Sequence, residues 1–370
     1  MKICMITECF AGGVLTYLRN ICNYMDENGQ EVIIIYSRKK ETPENLKGLF
    51  NKNVKLIEIP FNRKSPIAYI NLYKSYKELL EKINPEVVHF HSSFSGYIGR
   101  ILLKLNKNFI KKSYYTPHGY AFLKLNSNKA FRKFFFYMEK FVTLINPRTI
   151  IVPISDSEEN AAKKITKEKN IKKVLTGIDT NQLDSIISDL NRYNNKAIHI
   201  VSTGRLSDQK NPLMFIEIAK KCKSLNLNVK FTWIGGGELE GVVREKIKEY
   251  GLMDYVNITG WLEHQEAIKY MYQYGDIYLQ TSLWEGLPLT VLEAMYLKLC
   301  VFVNNAPGNV DPIENNINGC ILNEVNEFVY KISEIIKDEN MLNEFGEKAN
   351  ETTKLKFDIL LNTQKLLDVY

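Results

Sequence analysis

Residues Thr281–Leu297 read T-S-L-W-E-G-L-P-L-T-V-L-E-A-M-Y-L, and the parse of this stretch decides the fold. Tyr278 and Leu279 close an apolar run with the composition of a buried strand. Small and polar residues follow, then Gly286 and Pro288, then an apolar-periodic segment from Leu289 to Leu297. The pattern is strand, turn, helix. Pro288 suits a first helical turn, where its missing N–H is no loss. The N–H groups of Leu289 and Thr290 then point into the turn, and a helix start of this kind favours an anion. Glu285 falls in the turn, and Glu293 lies inside the helix. One carboxylate therefore sits by a phosphate-type pocket and a second sits deeper.

The same alternation extends outward from this stretch. In the N-terminal half strands are predicted at Ile3–Thr7, Glu31–Tyr36, Val54–Ile59, Val87–His91, Ser113–Thr116 and Ile150–Ile154. Helices are predicted at Leu15–Met25, Ala68–Ile83, around Tyr97–Leu105, at Phe131–Leu144 and at Glu158–Ile165, the last capped by Ser155 or Asp156. The polar stretch Asp179–Asn195 has no clear core face and reads as a crossover. Beyond it strands Ile198–Thr203, Val229–Ile234, Val256–Ile258, Ile277–Gln280 and Cys300–Asn304 again alternate with helices, and the tail from Glu324 is helical. Strand–helix repetition of this kind implies an α/β protein with parallel sheets covered on both faces, twice over. The expected domains are 1–177, a crossover at 178–196, 197–352, and a last helix at 353–370 returning to the first domain.

Bulk properties agree. A chain of 370 residues exceeds one typical core. No apolar run approaches the roughly 18 residues of a membrane span, and the N-terminus has no signal-peptide pattern. The six cysteines form no C-x-x-C pair and read as reduced packing residues of a cytoplasmic protein. The net charge of +7 is split: residues 1–170 carry 28 Lys and Arg against 15 Asp and Glu, and the remainder carries 21 against 27. Between 104 and 140 nine basic residues face one acid, Glu139. A one-sided basic half fits an anionic partner, although an Asn/Lys-rich composition alone also produces a lysine-coated surface.

Ligands of such sheets bind at the carboxyl ends of strands, so the loops there carry the candidates. Gly12 and Gly13 precede the first helix and allow close approach to its N–H groups. Three of the five histidines, His89, His91 and His118, fall at strand ends of the first half. H-x-H on a strand puts two rings on one face, which would suit a metal, but no third ligand stands beside them. A core or hydrogen-bonding role fits His89 and His91, while His118, inside T-P-H-G-Y (116–120), is the active-site candidate. Arg205 and Lys210 bracket a loop entering a helix through Asn211-Pro212. They could neutralise a diphosphate, the arginine by its fork and the lysine as a point charge, or be two surface charges. Gly235-Gly236-Gly237 is a close-approach loop without the spacing of a nicotinamide fingerprint. No P-loop and no D-x-D occurs, so cations and helix N–H groups, not a bound metal, are expected to hold phosphates.

Taken in order, Gly12-Gly13-Val14, P-H-G (117–119), G-R-L-x-x-x-K (204–210), I-G-G-G (234–237), E-G-L-P-L-x-x-L-E-A-M (285–295) and Asn318-Gly319 resemble the retaining glycosyltransferases of family 4. These motifs span nearly the whole chain, and the E-x(7)-E with its G-L-P insert is the most specific of them. The resemblance implies the GT-B fold, two Rossmann-like domains with parallel sheets facing across an inter-domain cleft. It also implies a nucleotide-sugar donor (a UDP-sugar favoured) in the C-terminal half and a glycan or lipid-linked glycan acceptor in the N-terminal half, with no cofactor and no metal. By that resemblance Arg205, Lys210, Gly13 and the N–H groups of Leu289 and Thr290 bind the donor diphosphate. Glu285, Gly286, Leu287 and Pro288 line the donor sugar, with Glu285 and His118 the catalytic residues, and Glu293 holds the ribose. Trp261, Leu262, Gly235 and Gly236 hold the base, and Gly12 and Tyr120 lie on the acceptor side. Two stretches depart from the family pattern, Asn305–Val310 and Thr176–Asp179.

The basic, aromatic run Lys129–Tyr137 resembles a surface that could rest on anionic lipid, implying a peripheral position at the inner face of the cytoplasmic membrane; its phenylalanines could equally be core. Two other readings compete, a same-fold sugar-nucleotide epimerase or phosphorylase and a polyanion binder using the basic half. Nucleic acid is not an expected partner, because an electrostatic binder needs neither the carboxylate pair nor the diphosphate-type loops.

Overall fold

The structure is a computed structural model that describes residues 1–62, 65–106, 112–124, 127–193 and 197–370. The chain divides into two compact units, residues 1–176 with 359–370, and residues 177–358. Lys107 and Lys111 of the basic segment lie outside the described residues.

The first unit is a parallel sheet of β1 (Lys2–Thr7), β2 (Glu31–Tyr36), β3 (Lys55–Glu58), β4 (Val87–His91), β5 (Lys112–Thr116) and β6 (Ile150–Ile151). Their spatial order is β3-β2-β1-β4-β5-β6. Between the strands run α1 (Gly12–Glu27), α2 (Pro66–Ile83), α3 (Ser93–Leu105), α4 (Lys129–Ile145) and α5 (Asp156–Lys163). The central strands are apolar along their length because both faces are covered, and β1 is buried from Ile3 to Thr7. Two apolar clusters result. One, around Met5, Leu18 and Val87, also takes in Ile359 and Leu366; the other forms around Ile6, Leu80, Phe90 and Tyr115. The predicted strand Ile150–Ile154 is shorter, since Pro153 cannot donate to a ladder. Ser155 caps α5, its hydroxyl accepting the Glu158 N–H at 3.2 Å.

The second unit starts with α6 (Thr180–Ile187), a helix inside the segment read as a crossover. Asp179 caps it by accepting the Gln182 N–H at 2.9 Å, and Leu183 is its one buried residue. A helix with so narrow an apolar face leaves no periodic signal. The sheet comprises β7 (Ile198–Thr203), β8 (Val229–Ile234), β9 (Val256–Ile258), β10 (Ile277–Gln280), β11 (Cys300–Asn304) and β12 (Cys320–Leu322), in the order β12-β11-β10-β7-β8-β9. The short edge strand β12 was not expected. The helices are α7 (Pro212–Ser224), α8 (Glu240–Glu249), α9 (His264–Tyr274), α10 (Leu289–Tyr296), α11 (Val325–Ile335) and α12 (Glu339–Lys356). A last helix, α13 (Ile359–Val369), packs on α1 in the first unit.

Both sheets have the same doubly wound order, with the first strand of each paired to its fourth. That pairing marks the topological switch point, where loops diverge and leave a crevice at the carboxyl ends of the strands. In the second unit the loops there follow β7 and β10, and they carry Arg205, Lys210 and Glu285.

Candidate active site

The loops after β7 and β10 are stitched together by their backbones. The Leu283 N–H donates to the Gln209 carbonyl at 2.8 Å, and the Thr281 hydroxyl donates to the Lys210 carbonyl at 2.8 Å. This places Lys210 Nζ 2.8 Å from Glu285 Oε1, with the two side chains only 17% and 12% exposed. Two amides complete the carboxylate's shell: Gln209 Nε2 donates to Oε2 at 3.2 Å and Gln280 Nε2 to Oε1 at 3.4 Å. The Glu285 N–H donates to the Pro307 carbonyl at 2.8 Å, so the loop after β11 fixes its backbone as well. Burial works against the charge on Lys210, but Glu285 and the Tyr278 hydroxyl together outweigh burial and hold its pKa above the ordinary value. Gln209 and Gln280 carry no recognisable motif and were not anticipated.

Helix α10 begins at Leu289 with Pro288 in the capping position, one residue earlier than a first-turn proline, and no side chain caps it. Its first accepted N–H is that of Val291, donating to the Pro288 carbonyl at 3.1 Å. Inside the helix Glu293 is nearly buried, and its Oε1 lies 2.8 Å from His264 Nε2 at the start of α9. His264 was also not anticipated. The Thr290 hydroxyl accepts from Tyr278 at 3.0 Å.

Arg205 lies apart from this part-buried pair, exposed and 3.2 Å from Glu238. The triple glycine has a packing task. A Cβ on Gly235, whose φ is +139°, would meet the Gly204 carbonyl oxygen at 2.1 Å; on Gly237, at φ +158°, it would meet that of Leu206 at 2.6 Å. These two glycines therefore let the loop after β8 lie flat on the loop after β7. Gly236 faces the exposed indole of Trp261, to which a Cβ would come within 3.1 Å. Leu262 is half-exposed beside it in sequence.

In the first unit α1 begins at Gly12, at φ +52°, with no side-chain cap and with open space around Gly12 and Gly13. His118 adopts φ +53°, a conformation that few residues outside glycine take up and that concentrates at functional sites. The buried Glu158 supports this turn by accepting the N–H of Gly119 at 2.5 Å and that of Ile154 at 3.0 Å. The His118 ring is half-buried, and burial holds its pKa down, to about 3. Tyr120 corrects an expectation: its ring is fully buried against Phe122, at a centroid distance of 4.8 Å, so its side chain is core and not an acceptor-side contact. His89 and His91 are buried and hydrogen-bonded, as a core role requires.

A part-buried cation–carboxylate pair beside an uncapped helix start, on a doubly wound sheet, is an arrangement suited to an anionic ligand. The comparisons name its class. Residues 11–182 match the model described as Glycosyltransferase Family 4, and residues 184–352 match Glycosyl transferases group 1. The chain belongs to glycosyltransferase family 4, and it is a glycosyltransferase. It is 28% identical, over 82% of its length and 78% of the relative's, to the UDP-Gal:α-D-GlcNAc-diphosphoundecaprenol α-1,3-galactosyltransferase of Escherichia coli. It is 27% identical, over 56% of its length and 58% of the relative's, to a Campylobacter jejuni α-1,4-N-acetyl-D-galactosaminyltransferase acting on an undecaprenyl-diphosphate-linked glycan. Among solved structures it resembles sucrose-phosphate synthase from Thermosynechococcus elongatus, with TM-score 0.82 and 16% identity over 100% of this chain and 98% of that one. It also resembles Anabaena HepE in complex with UDP, with TM-score 0.79 and 15% identity over 100% and 99%. The fold is GT-B. Family membership removes the ground for the polyanion-binder reading.

Proposed function

We propose that this glycosyltransferase moves a sugar, with retention of anomeric configuration and without a metal ion, from a UDP-sugar to a hydroxyl of a lipid-linked envelope-glycan precursor. The observation that carries this reading is the Lys210–Glu285 pair, 2.8 Å apart beside the uncapped start of α10. Lys210, Arg205 and the N–H groups of Leu289 and Thr290 bind the donor diphosphate. Glu285 addresses the sugar hydroxyls, within a wall made by Gly286, Leu287 and Pro288. Glu293 receives the ribose hydroxyls, and Trp261 and Leu262 pack on the base.

As the anomeric carbon–oxygen bond to the diphosphate breaks, the acceptor oxygen bonds to the same face of that carbon. The departing phosphate oxygen takes the acceptor's proton, so no side-chain base is needed. The cations and helix N–H groups stabilise the charge that grows on the leaving group. The E. coli relative's name supports both the UDP-linked donor and the undecaprenyl-diphosphate acceptor.

The acceptor reading extends to a membrane contact. On α4 Phe134, Tyr137, Phe141 and Leu144 are exposed at helical spacing, with Lys133 and Lys140 beside them. Phe135 and Phe136 instead pack inward on the core. An outward apolar stripe flanked by lysines matches an anionic lipid surface. No described helix is long and apolar enough to cross a membrane.

The deciding experiment incubates the protein with a panel of labelled nucleotide sugars and sugar-diphosphoundecaprenol acceptors, in EDTA, and assigns the product's anomeric configuration by NMR. A retained anomer is expected, with turnover abolished in Glu285→Ala and in Lys210→Ala. Near-normal transfer by either variant, an inverted anomer, or a strict metal requirement would overturn the reading. Flotation with anionic vesicles should depend on Phe134, Tyr137 and Phe141, and equal flotation of a triple serine variant would remove the membrane contact.

A further inference from the structure

The H-x-H of β4 has no part in the chemistry above, yet its rings run directly to His118. His91 Nδ1 lies 3.0 Å from His118 Nε2. On its other side His91 Nε2 faces Met5 Sδ at 3.4 Å. The ring is clamped, stacked on His89 at 4.2 Å between centroids, while Tyr17 sets its edge against His118 at 5.0 Å. His89 is itself pinned. The Thr116 hydroxyl donates to the Val152 carbonyl at 2.9 Å, so it can only accept from His89 Nε2, at 2.9 Å. That leaves His89 Nδ1 to accept from the Tyr370 hydroxyl, at 2.5 Å.

The proton positions around His91 follow from what each neighbour can do. A thioether sulfur carries no proton and can only accept. Nε2 of His91 must therefore carry the hydrogen, because the other tautomer would set a buried nitrogen lone pair against the sulfur and leave it unsatisfied. Its Nδ1 is then a lone pair, and the only proton available between the two rings is the one on His118 Nε2. Burial keeps both rings neutral. A neutral imidazole with its proton on Nε2 has a bare Nδ1, and no described residue is hydrogen-bonded to that atom of His118.

We propose that His91, backed by Met5, is a positioning residue that locks His118 in its Nε2–H tautomer and so presents His118 Nδ1 as a hydrogen-bond acceptor for a sugar hydroxyl. His118 thus favours a ligand group that donates at this point, a hydroxyl or an N-acetyl N–H, over a carboxylate or carbonyl there. The sugar as ligand rests on the proposed function; the tautomer does not.

The test uses the whole protein labelled with ¹⁵N-histidine, whose five histidines give a countable long-range ¹H–¹⁵N spectrum. His118 is assigned by the signals lost in His118→Gln. In the native chain His118 Nδ1 should resonate as an unprotonated, pyridine-type nitrogen. Met5→Leu conserves volume and keeps the fold, but removes the sulfur. It should shift His91, and with it His118, toward a mixture of tautomers. A protonated His118 Nδ1 in the native chain, or a spectrum unmoved by both Met5→Leu and His91→Phe, would overturn the proposal. With turnover in hand, His91→Phe should lower kcat/KM by roughly 5- to 10-fold, the worth of one hydrogen bond, for the one sugar substrate that His118 contacts, and leave KM for the other substrate unchanged. An equal loss on donor and acceptor would show a merely structural role. If no donor is turned over at all, the functional reading fails while the spectrum still decides the tautomer.

Discussion

Replacing Lys210 with methionine keeps the aliphatic stem over Gly204, where a Cβ would meet Lys210 Cε at 2.9 Å, and removes only the charge. Glu285 would then keep the amides of Gln209 and Gln280, at 3.2 and 3.4 Å, and lose its short 2.8 Å partner. A hydrogen bond between charged groups is worth about 1.5–3 kcal/mol. Breaking a fully buried pair costs about 3–5 kcal/mol, and this pair keeps some access to water. The loss should therefore be about 2–3 kcal/mol, lowering the melting temperature of the second unit by roughly 4–12 °C. Glu285→Gln removes the other charge, and the double variant Lys210→Met/Glu285→Gln leaves no unpaired charge behind. Calorimetry of the four proteins closes a double-mutant cycle. The double variant should be more stable than Lys210→Met alone. Simple additivity, or a cost below about 0.5 kcal/mol for Lys210→Met, which is what a solvated surface pair gives, would refute the view that this pair is largely shielded from water.

Three further outcomes follow from the same geometry. His264→Ala removes the bond that orients Glu293 and should weaken UDP binding roughly 3- to 10-fold by calorimetric titration; unchanged affinity would separate His264 from the nucleotide. Gly235→Ala should cost about 3 kcal/mol or more, from backbone strain and the clash with Gly204, read as a lowered unfolding midpoint. For pH, Lys210 has a folded pKa raised above its ordinary 10.5. Its contribution is fully present below that value and is lost as pH rises through the folded pKa, so the alkaline fall in stability should be shallower in Lys210→Met.

What could be read from sequence and what could not divides on the range of the interactions. Both sheets were legible because a strand buried on two faces is an apolar run, and the central strands are such runs. The strand-end loops then followed from topology. Helix α6 was hidden because Leu183 alone is buried, although its Asp179 cap stood in plain view. Strand β12 was missed because three residues behind an Asn-rich turn make no pattern. Site residues that work through distant partners were illegible for a stricter reason. Gln209 reaches Glu285 across 76 positions, and His89 meets Tyr370 across 281. No local periodicity encodes such a meeting.

Those distant partners give the Lys210–Glu285 pair its logic. Burial alone would push Lys210 toward the neutral amine, which is useless to a diphosphate. Glu285 keeps it an ammonium while the site is empty, and Gln209 and Gln280 keep Glu285 in place to do so. On the proposed reading, the incoming diphosphate supplies the negative charge that Glu285 supplied before. Lys210 then stays charged without it, and Glu285 becomes available to the sugar hydroxyls while its two amides still hold its direction. The carboxylate thus serves the cation first and the substrate second. A variant that keeps the carboxylate but loses the amides, Gln209→Leu with Gln280→Leu, should therefore bind UDP normally and turn over the UDP-sugar poorly. Equal loss in both measurements would mean that the amides serve the fold and not the order of events.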